Sequence, residues 1–157
     1  MTADELKEFV PAALEQLYPG QWEVFLPGHI WKMDRGDVPS LLSVHTGDGN
    51  PDYIRVHSGA AIHVPFGVEV ALAVASFNKQ LWNGRAYLQV NQERSLCLVA
   101  LEENFFAEAL SYDFMPSLDD FARRLGTMTL WAGKLGEQLR TEHGGAAIAG
   151  SEVGVLI

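Results

Sequence analysis

Apolar side chains at helical spacing predict one helix near the beginning of the chain and another in its middle. The first covers 3–18, where Thr2 and Glu5 fit a capping box that satisfies two free backbone amides. Pro11 lies inside this segment and predicts a kink or a restart, because proline has no amide hydrogen to donate. The second helix is predicted over 68–82, which has a broad apolar side.

A third and longer apolar stripe follows towards the end of the chain. Ser117 is the predicted N-cap, and the Gly-Gly pair at 144–145 supplies the stop. The stripe between them predicts a helix of about 26 residues, roughly 39 Å long. Glycine costs a helix about 1 kcal/mol relative to alanine. Gly126, Gly133 and Gly136 therefore predict close packing of another backbone, from the same chain or from a second copy.

Alternating polar and apolar residues predict extended strands elsewhere in the chain. The predicted strands are 22–26, 30–33, 41–46, 53–64, 85–90 and 94–101, while 102–115 fits strand, loop or helix. Within the fourth strand, Gly59-Ala60-Ala61 predicts a bulge or a close approach of another backbone. The order is helix, strands, helix, hairpin, long helix. Because helices and strands do not alternate regularly, we expect an α+β fold, an antiparallel sheet with helices packed on it.

Length and charge limit the domain organisation and the classes of partner. The chain has 157 residues, which favours one domain over residues 1–145, followed by an apolar C-terminal tail at 146–157. This tail is expected to be disordered or to dock as a strand. With 11 basic against 20 acidic residues, the net charge is −9. Because nucleic acids and anionic membranes attract clusters of Lys and Arg, neither is an expected partner.

Three features of the sequence favour a cytoplasmic location. Cys97 is the only cysteine, so the chain forms no internal disulfide, and its apolar neighbours predict a buried, unreactive thiol. The first residues are acidic and predict no secretory signal. No apolar stretch reaches the roughly 20 residues that cross a bilayer.

No group of residues in the sequence indicates a reaction. Neither a Gly-x-Ser-x-Gly motif nor a phosphate-binding glycine loop is present. His57 and His63 lie on one predicted strand, but too far apart along it to share a metal ion. We therefore expect no catalytic residues, no metal, no cofactor and no enzymatic activity. The remaining enzymatic hypothesis is a small hydrolase that uses His57 or His63.

The strongest remaining indication of function comes from tryptophan, which is frequent where proteins contact each other. Trp131 lies beside the main apolar stripe of the long helix, within reach of a partner. The predicted contacts with a partner are Trp131, Leu135, Met128, Trp22 and Trp31. The alternative is that the tryptophans lie in the core, which we expect in particular for Trp22 and Trp82.

The segment 65–145 combines a helix that ends near Asn78, a strand that begins after Gly84 and Arg85, a second strand, and a long helix closed by Gly-Gly. In this pattern the chain resembles the YbjN-like, type III secretion chaperone-like proteins. The resemblance implies an antiparallel sheet with helices packed on it, peptide binding and often a homodimer. Some proteins of this kind are described as sensory transduction regulators. The resemblance implies no catalytic residues.

We therefore predict a non-catalytic module that binds another polypeptide, along an open sheet edge or in an apolar groove. The alternative is a regulatory domain that binds a small ligand in a pocket lined by His57, Arg55 or Arg85. The tail at 146–157 is expected to occupy a binding surface of its own chain or of a neighbour, as a client would.

Overall fold

The fold is built on one antiparallel sheet, seen in a computed structural model that describes residues 1–49, 51–110 and 113–157. The α-helices are α1 (Ala3–Leu17), α2 (Val68–Asn78) and α3 (Phe114–Glu142). The strands are β1 (Trp22–Leu26), β2 (Ile30–Arg35), β3 (Val38–His45), β4 (Tyr53–Pro65), β5 (Arg85–Asn91) and β6 (Leu96–Phe106). They pair in the order β1-β2-β3-β4-β6-β5. This architecture confirms the predicted α+β fold.

The first helix begins with the predicted capping box. The Thr2 hydroxyl accepts a hydrogen bond from the amide of Glu5 (3.3 Å), and the Glu5 carboxylate accepts one from the amide of Thr2 (2.6 Å). α1 continues through Pro11, so the predicted restart does not occur. Pro11 removes one backbone hydrogen bond, and burial of the apolar side of the helix offsets that loss.

The second helix is shorter than predicted. It ends at Asn78, although the apolar pattern favoured a helix as far as Trp82. The side-chain nitrogen of Asn78 donates to the carbonyl of Ala86 (2.9 Å), and its side-chain oxygen accepts from the Ala86 amide (2.7 Å). These two bonds tie the end of α2 to the start of β5, so the chain leaves the helix before Trp82.

The long helix begins earlier than predicted. Its N-cap is Asp113, and the predicted cap, Ser117, lies inside the helix and is buried. Pro116 explains the earlier start, because the first turn of a helix has free amides and tolerates proline there. At the other end, the amide of Gly145 donates to the carbonyl of Leu139 (3.1 Å), so the Gly-Gly pair closes the helix as predicted.

The central strand is β4, which pairs with β3 on one side and with β6 on the other. Its register with β6 shifts between Gly59 and Ala61, and again between Ala61 and Val64, so the predicted bulge is confirmed. Because β6 lies between β4 and β5, the two edges of the sheet are β1 and β5.

The helices cover one face of the sheet, which we call the helix face. Buried side chains from helices and strands form one core there, among them Phe121, Ile54 and Val56. α3 approaches β4 closely at Gly136, where an added Cβ atom would overlap the carbonyl oxygen of Ala60. The close packing predicted from the helix glycines therefore involves, at Gly136, a backbone of the same chain.

The tail, residues 146–157, lies on the opposite face of the sheet, which we call the tail face. Ala146 exchanges two backbone hydrogen bonds of 2.9 Å with Ile62 in β4. A 3-10 helix, Gly150–Leu156, follows. The tail thus docks on the sheet of its own chain, and mainly as a 3-10 helix rather than as a strand.

Candidate functional site

The tail is held on the sheet by a small apolar core of its own. From the tail, Ile148, Val153 and Leu156 are buried. They join side chains that point away from the helices, so that the cluster consists of Leu41, Ile62, Leu98, Ala100, Ile148, Val153 and Leu156. The tail therefore attaches through three apolar anchors and one pair of backbone hydrogen bonds.

A glycine in the central strand makes room for the first anchor. A Cβ atom added to Gly59 would lie 2.5 Å from Cδ1 of Ile148. The sequence predicted a bulge or a close backbone approach here, because a strand glycine often marks either feature. The bulge is present, and the group that approaches Gly59 most closely is a side chain of the tail rather than a backbone.

The end of the tail lies between two clefts on this face. The hairpin cleft, about 760 Å³ in volume, is bordered by the β5–β6 turn, including Arg94. The polar cleft, about 420 Å³, lies over β3, β4, β5 and β6 and is lined by Ser43, His45, Arg55, His57, Tyr87 and Glu102, with Ile30, Gln89, Leu156 and Ile157. Ile157, the last residue of the chain, lines both clefts.

A row of hydrogen-bonded side chains forms one part of the polar cleft. His57 lies directly opposite Glu102 in the β4–β6 pairing, and Glu102 lies opposite Arg85 in the β5–β6 pairing. Nδ1 of His57 is 3.0 Å from the Tyr87 hydroxyl and 3.7 Å from the Glu102 carboxylate. Arg85 donates to the same carboxylate through two nitrogens, at 2.8 and 3.1 Å. Glu102 is therefore charge-balanced by Arg85.

Arg55 belongs to the neighbouring row of the same face. Its Nε donates to the side-chain oxygen of Asn104 (3.0 Å), and its guanidinium group lies 5.2 Å from the centre of the Tyr53 ring. On β3, Ser43 faces Arg55 in the strand pairing, and its hydroxyl lies 2.8 Å from Nε2 of His45. The cleft thus brings together polar side chains from four strands.

Burial sets the protonation of these groups. It lowers the pKa of His57, an effect that the nearby Glu102 carboxylate only partly opposes. Burial, together with the Arg55 charge, also lowers the pKa of His45. For Tyr87, burial and the Glu102 charge raise the pKa to about 12. At neutral pH the cleft therefore contains two neutral imidazoles and a neutral phenol.

The structure places two of the three residues of the small-ligand alternative in the polar cleft, His57 and Arg55. Arg85 reaches the cleft only through Glu102 and lines an adjoining surface groove, which Arg55 also borders. Sequence reasoning missed Ser43, His45, Tyr87 and Glu102. The signal for the first two was their position: like Arg55 and His57, they are two residues apart on one strand and so share a face.

The predicted partner contacts lie on the other side of the sheet and are mostly buried. Leu135, Met128 and Trp31 are 0%, 4% and 3% exposed, so they are core residues and present no surface to a partner. Trp131 is half-buried and packs edge-on against Phe77, with ring centres 5.6 Å apart. Trp22, also half-buried, donates a hydrogen bond to Glu15 in α1 (2.8 Å). Apolar spacing marks core and interface alike, so it could not separate Leu135, Met128 and Trp31 from surface contacts. For the half-buried Trp131 and Trp22, partner contact stays a prediction.

Trp82 was expected in the core but is exposed. Its side chain is 97% exposed in the turn between α2 and β5. The early end of α2 at Asn78 moves Trp82 off the apolar side of that helix. Exposed apolar side chains also occur on the edge strand β1, at Val24, Phe25 and Leu26.

The sequence matches no model of a known protein family, and no curated protein matches it. The resemblance to YbjN-like proteins therefore stays a prediction. In the part of the chain that the structure describes, no helix combines the length and apolarity needed to cross a membrane. Across residues 1–49, 51–110 and 113–157, no three His, Cys, Asp or Glu side chains are grouped so as to hold a metal ion.

Proposed function

We propose that the protein binds a short polypeptide segment on the tail face and that its own tail is a displaceable occupant of that surface. The observation that carries this proposal is the docked tail itself. A segment of the chain rests on the sheet through three buried side chains, Ile148, Val153 and Leu156. A second polypeptide with apolar side chains at matching positions would meet the same surface.

The free energy with which the tail docks is compatible with its exchange for another polypeptide. Full burial of one aliphatic side chain stabilises by about 1.5–3 kcal/mol, and the ordering of the tail opposes part of that gain. The core of the helix face is a separate cluster to which the tail contributes no residue. We therefore expect the tail to detach while the helices and the sheet stay folded.

Tethering explains how the tail would control binding. A covalently attached segment competes at an effective concentration in the millimolar range. A free peptide with the same anchors is therefore excluded until the tail detaches or until the peptide binds more tightly. The resemblance to YbjN-like, chaperone-like proteins points to the same class of function, non-catalytic binding of another polypeptide. We place this function in the cytoplasm, which the single buried Cys97 supports.

The test uses a full-length protein whose tail is released. Val153→Asp together with Leu156→Asp puts two charges into the apolar contact and is expected to detach the tail. Fluorescence anisotropy then measures binding of a labelled peptide with the sequence of residues 146–157. The released variant is expected to bind this peptide, and the wild-type protein is expected to bind it at least about tenfold more weakly because its own tail competes.

Two controls separate this effect from loss of the fold. Ser151→Asp changes an exposed tail residue that lines neither cleft and is expected to behave as the wild type. A peptide that carries the two aspartates is expected not to bind the released variant. If the released variant keeps its helices and sheet by circular dichroism yet binds no peptide, the tail is a permanent part of the fold and the proposal fails.

A further inference from the structure

The polar cleft has the size of a small-molecule site and, like such sites, is lined by both polar and apolar groups. Its volume of about 420 Å³ lies within the roughly 300–1,000 Å³ of ligand pockets. Side chains of the sheet supply polar groups, and Ile30, Leu156 and Ile157 supply apolar surface. A ligand that fits this cleft therefore has one polar group and an apolar body.

Arg55 provides the unbalanced charge of the cleft. Its Nε bond to Asn104 (3.0 Å) and its contact with the Tyr53 ring (5.2 Å) fix the guanidinium group. Among the residues that the structure describes, neither terminal nitrogen of Arg55 has a hydrogen-bond acceptor or an acidic partner. The nearby Arg85 differs, because it is paired with Glu102 at 2.8 Å.

Neutral polar groups line the cleft around this cation, and the Glu102 carboxylate, which also lines it, is already paired with Arg85. The Ser43 hydroxyl lies on the residue opposite Arg55 and is bound to His45 (2.8 Å). Burial lowers the pKa of His45 and of His57, so both imidazoles are uncharged at neutral pH. A fixed cation among neutral groups and one charge-balanced carboxylate suits one anionic group better than it suits a cation or a wholly apolar molecule.

We propose that the polar cleft binds a carboxylate attached to a small apolar body, with Arg55 as the group that pairs with the carboxylate. A guanidinium group can donate two parallel hydrogen bonds to a carboxylate. The net charge of −9 repels anions, but exposed charges beyond roughly 8 Å are largely screened at physiological ionic strength. Leu156 and Ile157 of the docked tail form part of the wall, so the proposed site is the one present while the tail is docked, and its test on the wild-type protein needs no displacement of the tail.

Two sources could supply such a carboxylate, a free carboxylic acid or the C-terminal end of a peptide. Benzoate represents the first, and benzamide is its uncharged counterpart of the same shape. Acetyl-Val-Leu-Ile with a free carboxyl group represents the second, and its C-terminal amide is the uncharged counterpart. Tighter binding of benzoate assigns the site to free acids, and tighter binding of the acid peptide assigns it to chain ends.

The experiment is an NMR titration of the full-length protein that follows the imidazole signals of His45 and His57. The acids are expected to shift these signals, and the amides are not. Arg55→Gln is expected to weaken binding of the acids about tenfold or more, because it removes a charge-assisted hydrogen bond. The matched control is Arg94→Gln, which removes the same charge from the hairpin cleft on the same face and is expected to leave binding unchanged.

Three results would overturn the proposal. The first is that neither acid binds, and the second is that acids and amides bind equally well. The third is that the two arginine substitutions weaken binding of the acids equally. If Arg55→Gln prevents folding, Arg55→Lys replaces it, since lysine keeps the charge but loses the two parallel hydrogen bonds. The comparison of acid with amide on the wild-type protein needs no variant and decides by itself whether the charge is recognised.

Discussion

Cδ1 of Ile148 occupies the space where a side chain at position 59 would begin, since a Cβ atom added to Gly59 would lie 2.5 Å from it. The tail can therefore settle against the backbone of the central strand. Farther along the same face, it buries Val153 and Leu156. The absence of a bulky side chain at Gly59 is thus a condition for docking of the tail.

Enlarging Gly59 is expected to loosen the tail in steps. Gly59→Ala meets only the tip of a flexible side chain, which can shift, so its effect is expected to be small. Gly59→Val adds a branched side chain that Ile148 cannot avoid, at a cost of about 1–3 kcal/mol. Hydrogen exchange of the amides in 146–157 reports the loosening. Full protection of these amides in the valine variant would show that Gly59 does not control docking.

The contact between α3 and β4 predicts opposite effects for two neighbouring glycines. At Gly136 an added Cβ would overlap the carbonyl oxygen of Ala60, so Gly136→Ala is expected to lower the free energy of unfolding by about 1–3 kcal/mol. At Gly133 the nearest atom is Cγ2 of Val38 at 3.5 Å, an ordinary contact. Gly133→Ala is therefore expected to stabilise by up to about 1 kcal/mol through helix propensity.

Urea unfolding of the two variants measures this difference directly. Both substitutions are the same chemical change within one helix, so helix propensity affects them alike. Equal unfolding free energies for the two variants would contradict the close approach of α3 to β4 at Gly136.

Acidification is expected to destabilise the fold through the histidines of the polar cleft. Burial holds the pKa of His57, and of His45, below the ordinary 6.5. Below pH 6.5 the unfolded chain takes up protons that the folded chain does not, so the free energy of unfolding falls as the pH drops. Above that pH both states are neutral at these residues, and the contribution is constant.

Urea unfolding at several pH values between about 7.5 and 5.5 tests this window, in which ordinary carboxylates stay ionised. The decrease is expected to be smaller in His57→Gln than in the wild type, and smaller again when His45→Gln is added. An identical pH dependence in all three proteins would contradict the depressed pKa of these two side chains.

Trp31 and Trp82 are expected to give contrasting results on truncation. Trp31 is 3% exposed in the core, so Trp31→Ala is expected to lower the free energy of unfolding by about 3–5 kcal/mol. Trp82 is 97% exposed, and Trp82→Ala is expected to change stability by less than about 0.5 kcal/mol. Urea unfolding compares the two variants. A large loss at Trp82 would contradict its exposed position in the turn.

Much of the fold could be predicted from local patterns in the sequence. Alternation in β4 separated Ile54 and Val56, now in the core of the helix face, from Arg55 and His57 on the tail face. Such patterns record which neighbours share a face. They do not record which strand lies beside which, so the position of β6 between β4 and β5 was beyond them.

The polar cleft could not be predicted for the same physical reason. His57, Tyr87 and Glu102 meet only because β4 lies beside the β5–β6 hairpin, which is distant from it along the chain. Each of these residues occupies a position that, judged alone, is typical of a solvated strand face. Met128 and Leu135 were assigned to an interface for a different reason, because the apolar signal of a core and of an interface is the same.

The most direct measurement of the central claim maps where a polypeptide binds. The released variant, Val153→Asp with Leu156→Asp, is labelled in its methyl groups and titrated with the peptide of residues 146–157. The account predicts shifts at Leu41, Ile62 and Leu98, which carry methyl groups beneath the docked tail, and none at Leu125 in the core of the helix face. Shifts confined to the helix face, or no shifts in a folded variant, would contradict it.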